Sequence, residues 1–159
     1  MDLKDISLIC ITDSNRNPLY TYKYDNCDIK DLLQAFTENE FSISVYKDQT
    51  LFTRRMDDIS IHLLARPESN EIFVQNAFDA LLNSLNAVIK NWSVDRIAEK
   101  YDQIILIFHE FVFNGIILTD NSDDLSERVM KRTFENVNAI KVSKGFASFL
   151  NKATKSFRK

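Results

Sequence analysis

The chain has 159 residues and a mass of 18.5 kDa, the length of one domain, long enough to bury a core without disulfide or metal staples. Its 45% apolar and 27% charged residues exclude a disordered chain, and its 2 Gly and 2 Pro exclude collagen-like, low-complexity and glycine-loop architectures. The net charge of −3 is uneven: no acidic residue follows Glu135, so Lys141, Lys144, Lys152, Lys155, Arg158 and Lys159 give that segment +6 and leave −9 on the first 135 residues, an acidic body that argues against nucleic acid as a partner.

Residues 6–12 form an apolar run of strand length, apolar on both faces, which predicts a central strand. The turn signal Asp13-Ser14-Asn15-Arg16-Asn17-Pro18 follows, and Leu19 to Tyr24 resumes as a strand with Tyr20, Tyr22 and Tyr24 on one side. Together these predict an N-terminal hairpin. Asp28 is a candidate N-cap for an amphipathic helix of about three turns, whose face is Ile29, Leu32, Leu33 and Phe36. Residues 41–64 switch to strand-like pieces. Phe41, Ile43 and Val45 alternate with Ser42, Ser44 and Tyr46, then come Leu51-Phe52, then Ile59, Ile61 and Leu63 alternating with polar or opposite-face positions. Lys47-Asp48-Gln49 and Met56-Asp57-Asp58 mark the turns of an antiparallel meander.

Arg66-Pro67-Glu68-Ser69-Asn70 ends the sheet, and Ser69 or Asn70 caps a helix over about 71–90, with Val74, Phe78, Leu81, Leu82, Leu85 and Ile89 on its stripe. Val94, Ile97, Tyr101, Ile105, Phe108 and Val112 predict a second long helix, 94–113, with Asn114-Gly115 as its stop. The uncharged stretch Gln103 to His109 reads almost as a strand by itself; the flanking periodicity and the absence of a breaker favour helix. Its apolar width places it between the sheet and another element, or under a partner. Asn121 and Ser122 cap a short helix containing Leu125 and Val129. In the final segment Val142, Phe146, Phe149, Leu150, Ala153 and Phe157 share one helical face, with the lysines elsewhere.

The chain shows no pattern for catalysis. His62 sits in an alternating strand, where a hydrogen-bonded side chain is expected. His109-Glu110 opens like a zinc-protease motif, but Phe113 stands where the second histidine is needed. Cys10 reads as core and Cys27 as loop, with no Cys-x-x-Cys pair. Asp57-Asp58 and Asp123-Asp124 read as turn and helix-start residues and lack the alternating oxygen donors of a calcium loop. Neither catalytic, metal nor cofactor-binding residues are therefore assigned, and no cofactor is expected. Arg54-Arg55, the basic pair of the body, reads as a solvated strand end or as a contact for an acidic peptide or phosphate. Without a secretory signal or an apolar run of spanning length, a reducing, cytosolic address is expected, where the Asn91-Trp92-Ser93 sequon carries no meaning.

The order of elements and four stretches carry a family resemblance. Leu8 to Asn15 followed by Pro18-Leu19-Tyr20, Asn70-Glu71-Ile72 leading into Phe78 to Leu81, His109 to Leu118, and the terminal Val142 to Arg158 segment together resemble the longin-like small subunits of vesicle-coat adaptors, in particular the zeta subunits of the COPI coatomer. The third stretch is similar to that family's Asp-Glu-Ile-Val-Asp-Gly-Gly-Val-Ile-Leu signature, with His109 in place of the first aspartate and Asn114-Gly115 in place of the double glycine. Residues 25–50 match poorly. The resemblance implies an α+β longin-like, or SNARE-like, fold: a five-stranded antiparallel sheet flanked by helices. It also implies two regions, 1–135 as the adaptor small-subunit domain and 136–159 as a basic amphipathic C-terminal helix.

The function implied is non-enzymatic: a structural subunit of the COPI coat that packs against the large gamma-COP subunit, and through it joins beta-COP, delta-COP and an Arf-family GTPase in retrograde Golgi-to-ER and intra-Golgi transport. The implied location is the cytosolic face of Golgi membranes, reached peripherally through the complex. A sigma-type clathrin-adaptor subunit is the alternative, because Arg54-Arg55 resembles the Arg-Arg of subunits that bind acidic dileucine signals; another longin-type trafficking module is a third. Partner-binding residues stay unassigned, with the helices 71–90 and 94–113 as candidates for their spare apolar area. The basic tail is expected to dock on protein, on its own acidic body or on a partner, with anionic membrane as the alternative.

Overall fold

The computed structural model describes residues 4–35 and 40–130. Phe36 and the helix expected from Val142 to Phe157 lie outside them.

Five strands, β1 (Ile6–Asp13), β2 (Pro18–Lys23), β3 (Phe41–Tyr46), β4 (Gln49–Met56) and β5 (Ile59–Ala65), form one antiparallel sheet in the order β2-β1-β5-β4-β3. The hairpin and the meander are both as the alternation predicts, and β1 lies inside the sheet, apolar on both faces. The Asp13 carboxylate closes the first turn by accepting the backbone N–H groups of Asn15 and Asn17 at 2.9 and 2.7 Å. Lys47 and Asp57 take positive φ of 59° and 51° in the two-residue turns of the meander.

Helix α1 (Ile29–Ala35) covers one sheet face, where Leu32 meets Leu8, Cys10, Leu51 and Leu64. Its N-terminus is capped by the Asp28 carboxylate, which accepts the Lys30 N–H at 2.9 Å. The other face carries the main core. Ile9, Ile11, Phe52, Ile61 and Leu63 pack there against α2 (Glu71–Val88), α3 (Val94–Glu99), α4 (Tyr101–Phe111) and α5 (Ser122–Met130). Asn70 is the N-cap of α2, its side-chain oxygen accepting from Ile72 and Phe73. Asn121 serves α5 in the same way through the Asp123 N–H at 2.9 Å. Helix α4 lies between the sheet, where Phe108 stacks on Tyr20 at 4.8 Å, and α5, as its width requires.

The predicted helix 94–113 needs two corrections. It is broken at Lys100 (φ −100°, ψ 14°), a conformation open to any side chain, which is why no Gly or Pro marks it. Its buried stripe is Ile97, Ile104, Ile107, Phe108 and Phe111, whereas Val94 and Tyr101 are exposed. Second, the helix ends at Phe111. Val112–Phe113 (β6) and Ile116–Ile117 (β7) pair as a short antiparallel hairpin. Asn114-Gly115 is thus a turn rather than a helix stop. With φ of 50° and 85°, both residues have the positive φ of a type I′ hairpin turn, which matches strand twist.

Candidate interaction surface

The titratable side chains singled out in the sequence are placed where they do structural work. His62 is 1% exposed in the middle of the α1-side face. Its Nε2 lies 3.1 Å from Thr12 Oγ1 and its Nδ1 3.0 Å from Thr53 Oγ1, a polar row across β1, β5 and β4. Burial pushes its pKa down to about 3, so the ring is neutral. Cys10 is buried and its thiol is pushed up to about 11, chiefly by desolvation against a hydrogen bond from Thr21, which leaves it no thiolate at neutral pH. Cys27 is half-buried between β2 and α1. Among the described residues no group of three His, Cys, Asp or Glu side chains is placed to hold a metal ion. Nor is any of their helices long and apolar enough to cross a membrane.

Arg54 and Arg55 end β4 beside α2. The Arg54 guanidinium stacks on the Phe41 ring at 4.9 Å and lies 3.8 Å from the Asp79 carboxylate. Arg55 Nε donates to the Asp57 carbonyl at 3.2 Å. The cleft they share with Glu40, Asn83 and Asn86 holds about 160 Å³, below the ~300–1,000 Å³ of ordinary ligand sites. Two carboxylates face the two guanidinium groups there, so the pair is compensated locally.

The hairpin β6–β7 presents a different kind of site. Val112 and Ile117, opposite one another, are buried, whereas Phe113 and Ile116, the other cross-strand pair, point outward with Leu118. Phe113 is 63% exposed. The apolar face is held rigidly. The Gly115 carbonyl accepts the N–H groups of Asp5 and Ile6 at 2.8 and 3.0 Å, and the Asp5 carboxylate accepts the Ile117 N–H at 2.9 Å. A Cβ on Gly115 would sit 2.9 Å from the Ile6 carbonyl oxygen, so the turn packs directly on the start of β1. On its flank, Tyr22 and Tyr24 pack with His109 to line a shallow aromatic cleft of about 110 Å³.

The N-terminal end of β1 is tied down by a second cluster. Asp25 pairs with Lys4 at 2.7 Å and with Arg66 at 2.9 Å. Burial pulls its carboxyl up, but the Lys4 hydrogen bond and the charges of Arg66 and Lys4 hold it below the usual carboxylate range. Among the described residues, exposed apolar side chains gather in groups of three on two β elements, the hairpin with Leu118 and β3, whereas Ile72, Val94 and Tyr101 are exposed on the helices and Tyr22 on β2. The candidates expected from sequence, α2 and the 94–113 region, bury most of their apolar stripes inside the fold. The Asn-Gly dipeptide between two apolar pairs was the signal that could have found the hairpin.

Coatomer subunit zeta of Encephalitozoon cuniculi is 35% identical to the chain over 159 residues, covering 98% of this chain and 96% of the relative. The chain belongs to the coatomer zeta-subunit family. Coatomer subunit zeta of Saccharomyces cerevisiae is 32% identical over 120 residues, covering 74% of the chain and 63% of the yeast protein. No protein-family model matches the chain. A chain in a homology model of the full-length AP-3 complex in a stretched open conformation superposes with a TM-score of 0.58 over 96% of both chains at 12% identity, a likeness of fold. Zeta-family membership makes this a non-catalytic small subunit of a vesicle-coat, adaptor-like complex, and its surfaces are to be read as contact surfaces.

Proposed function

We propose that the chain is the zeta subunit of a COPI coat. It packs against the large gamma-COP subunit, stands through it beside beta-COP and delta-COP, and reaches the cytosolic face of Golgi membranes through recruitment of the complex by an Arf-family GTPase. The work is scaffolding in retrograde Golgi-to-ER and intra-Golgi transport. The observation that carries the reading is the 35% identity to a coatomer zeta subunit over nearly the whole of both chains. Within the chain, the segment His109 to Leu118, similar to the zeta signature, builds the pinned apolar hairpin. We assign Phe113, Ile116 and Leu118 to the large-subunit contact, because a rigid apolar face loses little conformational freedom on binding.

Affinity capture of the tagged chain from its native cytosol, followed by mass spectrometry, tests the reading. Recovery of gamma-, beta- and delta-COP chains supports it. Recovery of clathrin-adaptor large chains in their place, together with binding of a Glu-x-x-x-Leu-Leu peptide at Arg54-Arg55, overturns it in favour of a sigma-type subunit.

A further inference from the structure

The two edges of the sheet are protected unequally. β2 carries Pro18 and Lys23, and its register with β1 is interrupted between Ile11 and Thr12. Proline, lysine and bulges are the ordinary devices that keep an edge from pairing with another chain. β3 has none of them. Phe41-Ser42-Ile43-Ser44-Val45-Tyr46 is uncharged, has no Pro or Gly, and pairs with β4 in unbroken register from Phe41↔Arg54 to Tyr46↔Gln49.

The direction of its open hydrogen-bonding groups follows from the turn. A two-residue loop, Lys47-Asp48, joins Tyr46 to Gln49, so these two residues face each other as a hydrogen-bonded pair. The alternation then turns Ser42 and Ser44 toward β4, and the bond from the Arg55 N–H to the Glu40 carbonyl at 2.7 Å confirms that parity. The backbone groups of Phe41, Ile43 and Val45 therefore point away from the sheet, and among the described residues no strand pairs with them. Their side chains are 37%, 49% and 75% exposed, on the same sheet face as Phe52. One set of three residues thus offers both the unpaired backbone and the uncovered apolar stripe.

This strand is complementary to itself. In an antiparallel pair with a second copy, centred on Ile43, Ile43 meets Ile43 of the partner subunit, and Phe41 meets Val45 of the partner subunit on both sides. Directly opposite residues of an antiparallel pair share a face, so all three apolar side chains of each copy fall on one surface and the serines on the other. That register also makes the three outward-facing residues of each copy hydrogen-bonded pairs, each exchanging two bonds. Moving it by one residue would set apolar against serine and would misalign the backbone groups. No charge lies within the strand to oppose the approach. We propose that β3 is a self-association edge, through which two copies of this chain join their sheets into one ten-stranded antiparallel sheet about a two-fold axis at Ile43. The inference goes beyond the coat reading and does not depend on it.

Sedimentation equilibrium or light scattering of the purified full chain, at up to about 100 μM, tests this. The expected result is a concentration-dependent rise from 18.5 kDa to twice that mass. Ile43→Lys and Ile43→Glu each place like charges on the two-fold axis and are expected to hold the chain at its single mass, while their equimolar mixture regains the dimer. Val45→Pro removes an outward-facing N–H and leaves the β3–β4 ladder intact, and it is expected to abolish the dimer with an unchanged circular dichroism spectrum. A wild type that stays at the single mass, a dimer that survives Ile43→Lys, or a Lys–Glu mixture that remains monomeric overturns the proposal.

Discussion

The buried His62 makes stability depend on pH between the unfolded and the folded value of its imidazole. In the unfolded chain its imidazole titrates near 6.5; in the folded protein burial holds it down to about 3. Between those values the unfolded state carries one proton more than the folded state, so acid favours unfolding. The stabilisation is complete above pH 6.5 and is lost as pH falls through the window, at about 1.4 kcal/mol per pH unit. From pH 6.5 to pH 4.5 the loss is about 2–3 kcal/mol, a large share of the ~5–15 kcal/mol of a typical domain. Stopping at pH 4.5 keeps the lowered carboxyls of Asp13 and Asp25 ionised and out of the measurement. Urea unfolding across that range, on wild type and on His62→Gln, gives two slopes whose difference isolates this residue. Glutamine is expected to lower stability at pH 7, because it cannot reproduce both threonine contacts, and to flatten the acid dependence. Equal slopes in the two proteins, or a His62 ring that takes up its proton near pH 6 by NMR, would refute the assignment of a neutral buried histidine.

Other perturbations have equally direct readings. Gly115→Ala is expected to cost about 1–3 kcal/mol in thermal or urea unfolding, since it puts a Cβ at positive φ and against the Ile6 carbonyl, whereas Asn114→Gly should be close to neutral. Asn70→Ala removes the α2 cap and should cost about 1 kcal/mol, with Asn70→Asp retaining most of it. Asp25→Asn leaves Lys4 and Arg66 without their shared carboxylate and should destabilise by about 1–2 kcal/mol at pH 7; because the Asp25 carboxyl is lowered on folding, the loss relative to wild type should shrink as pH falls below the ordinary carboxylate range. Phe113→Asp with Leu118→Asp should leave the circular dichroism spectrum unchanged and reduce capture of gamma-COP at least about tenfold, and unchanged capture would remove the hairpin from the partner interface.

The legible parts of this fold are those whose signal is local. Alternation at Ile59, Ile61 and Leu63 marks β5, the Asp13 turn marks the first hairpin, and Ser69 or Asn70 before Glu71 marks the start of α2, where the structure places the cap on Asn70. The helical spacing over 94–113 runs across two interruptions, at Lys100, which does not punctuate a chain alone, and at the end of α4 after Phe111. Lys100 turns the axis in a conformation any residue adopts, and the helical spacing of Phe108 and Val112 continues across a boundary set by tertiary contacts. Past the helix end, the Asp5 backbone and carboxylate, more than a hundred residues earlier in sequence, hold Gly115 and Ile117 and with them the turn and second strand of the β6–β7 hairpin. Asn114-Gly115 marks the turn locally, but no window of local sequence contains the contact with Asp5.

The partner surfaces were hidden for a related reason. An apolar stripe on a helix announces burial without saying what buries it, and here α2 and α4 are covered by the sheet, by α5 and by each other. Among the described residues, open apolar groups lie on β3, where alternation in the sequence reads as ordinary half-buried strand, and on the hairpin, whose first strand reads as the end of a helix. Two helices lie directly on the sheet, α2 over β4 and β5 and α4 against β2; at about 10 Å each they span about 20 Å, less than the ~24 Å of five strands about 4.8 Å apart, so the edge strand β3 falls beyond that layer. Exposure of Phe41, Ile43 and Val45 is thus a consequence of layer geometry, and the identity of those three residues is where the chain departs from simple solvation. A strand that only faced water would carry lysine or threonine at these positions. Isoleucine and valine there cost solubility in the isolated subunit, and an edge that carries that cost is one whose backbone and side chains are taken up together by another polypeptide.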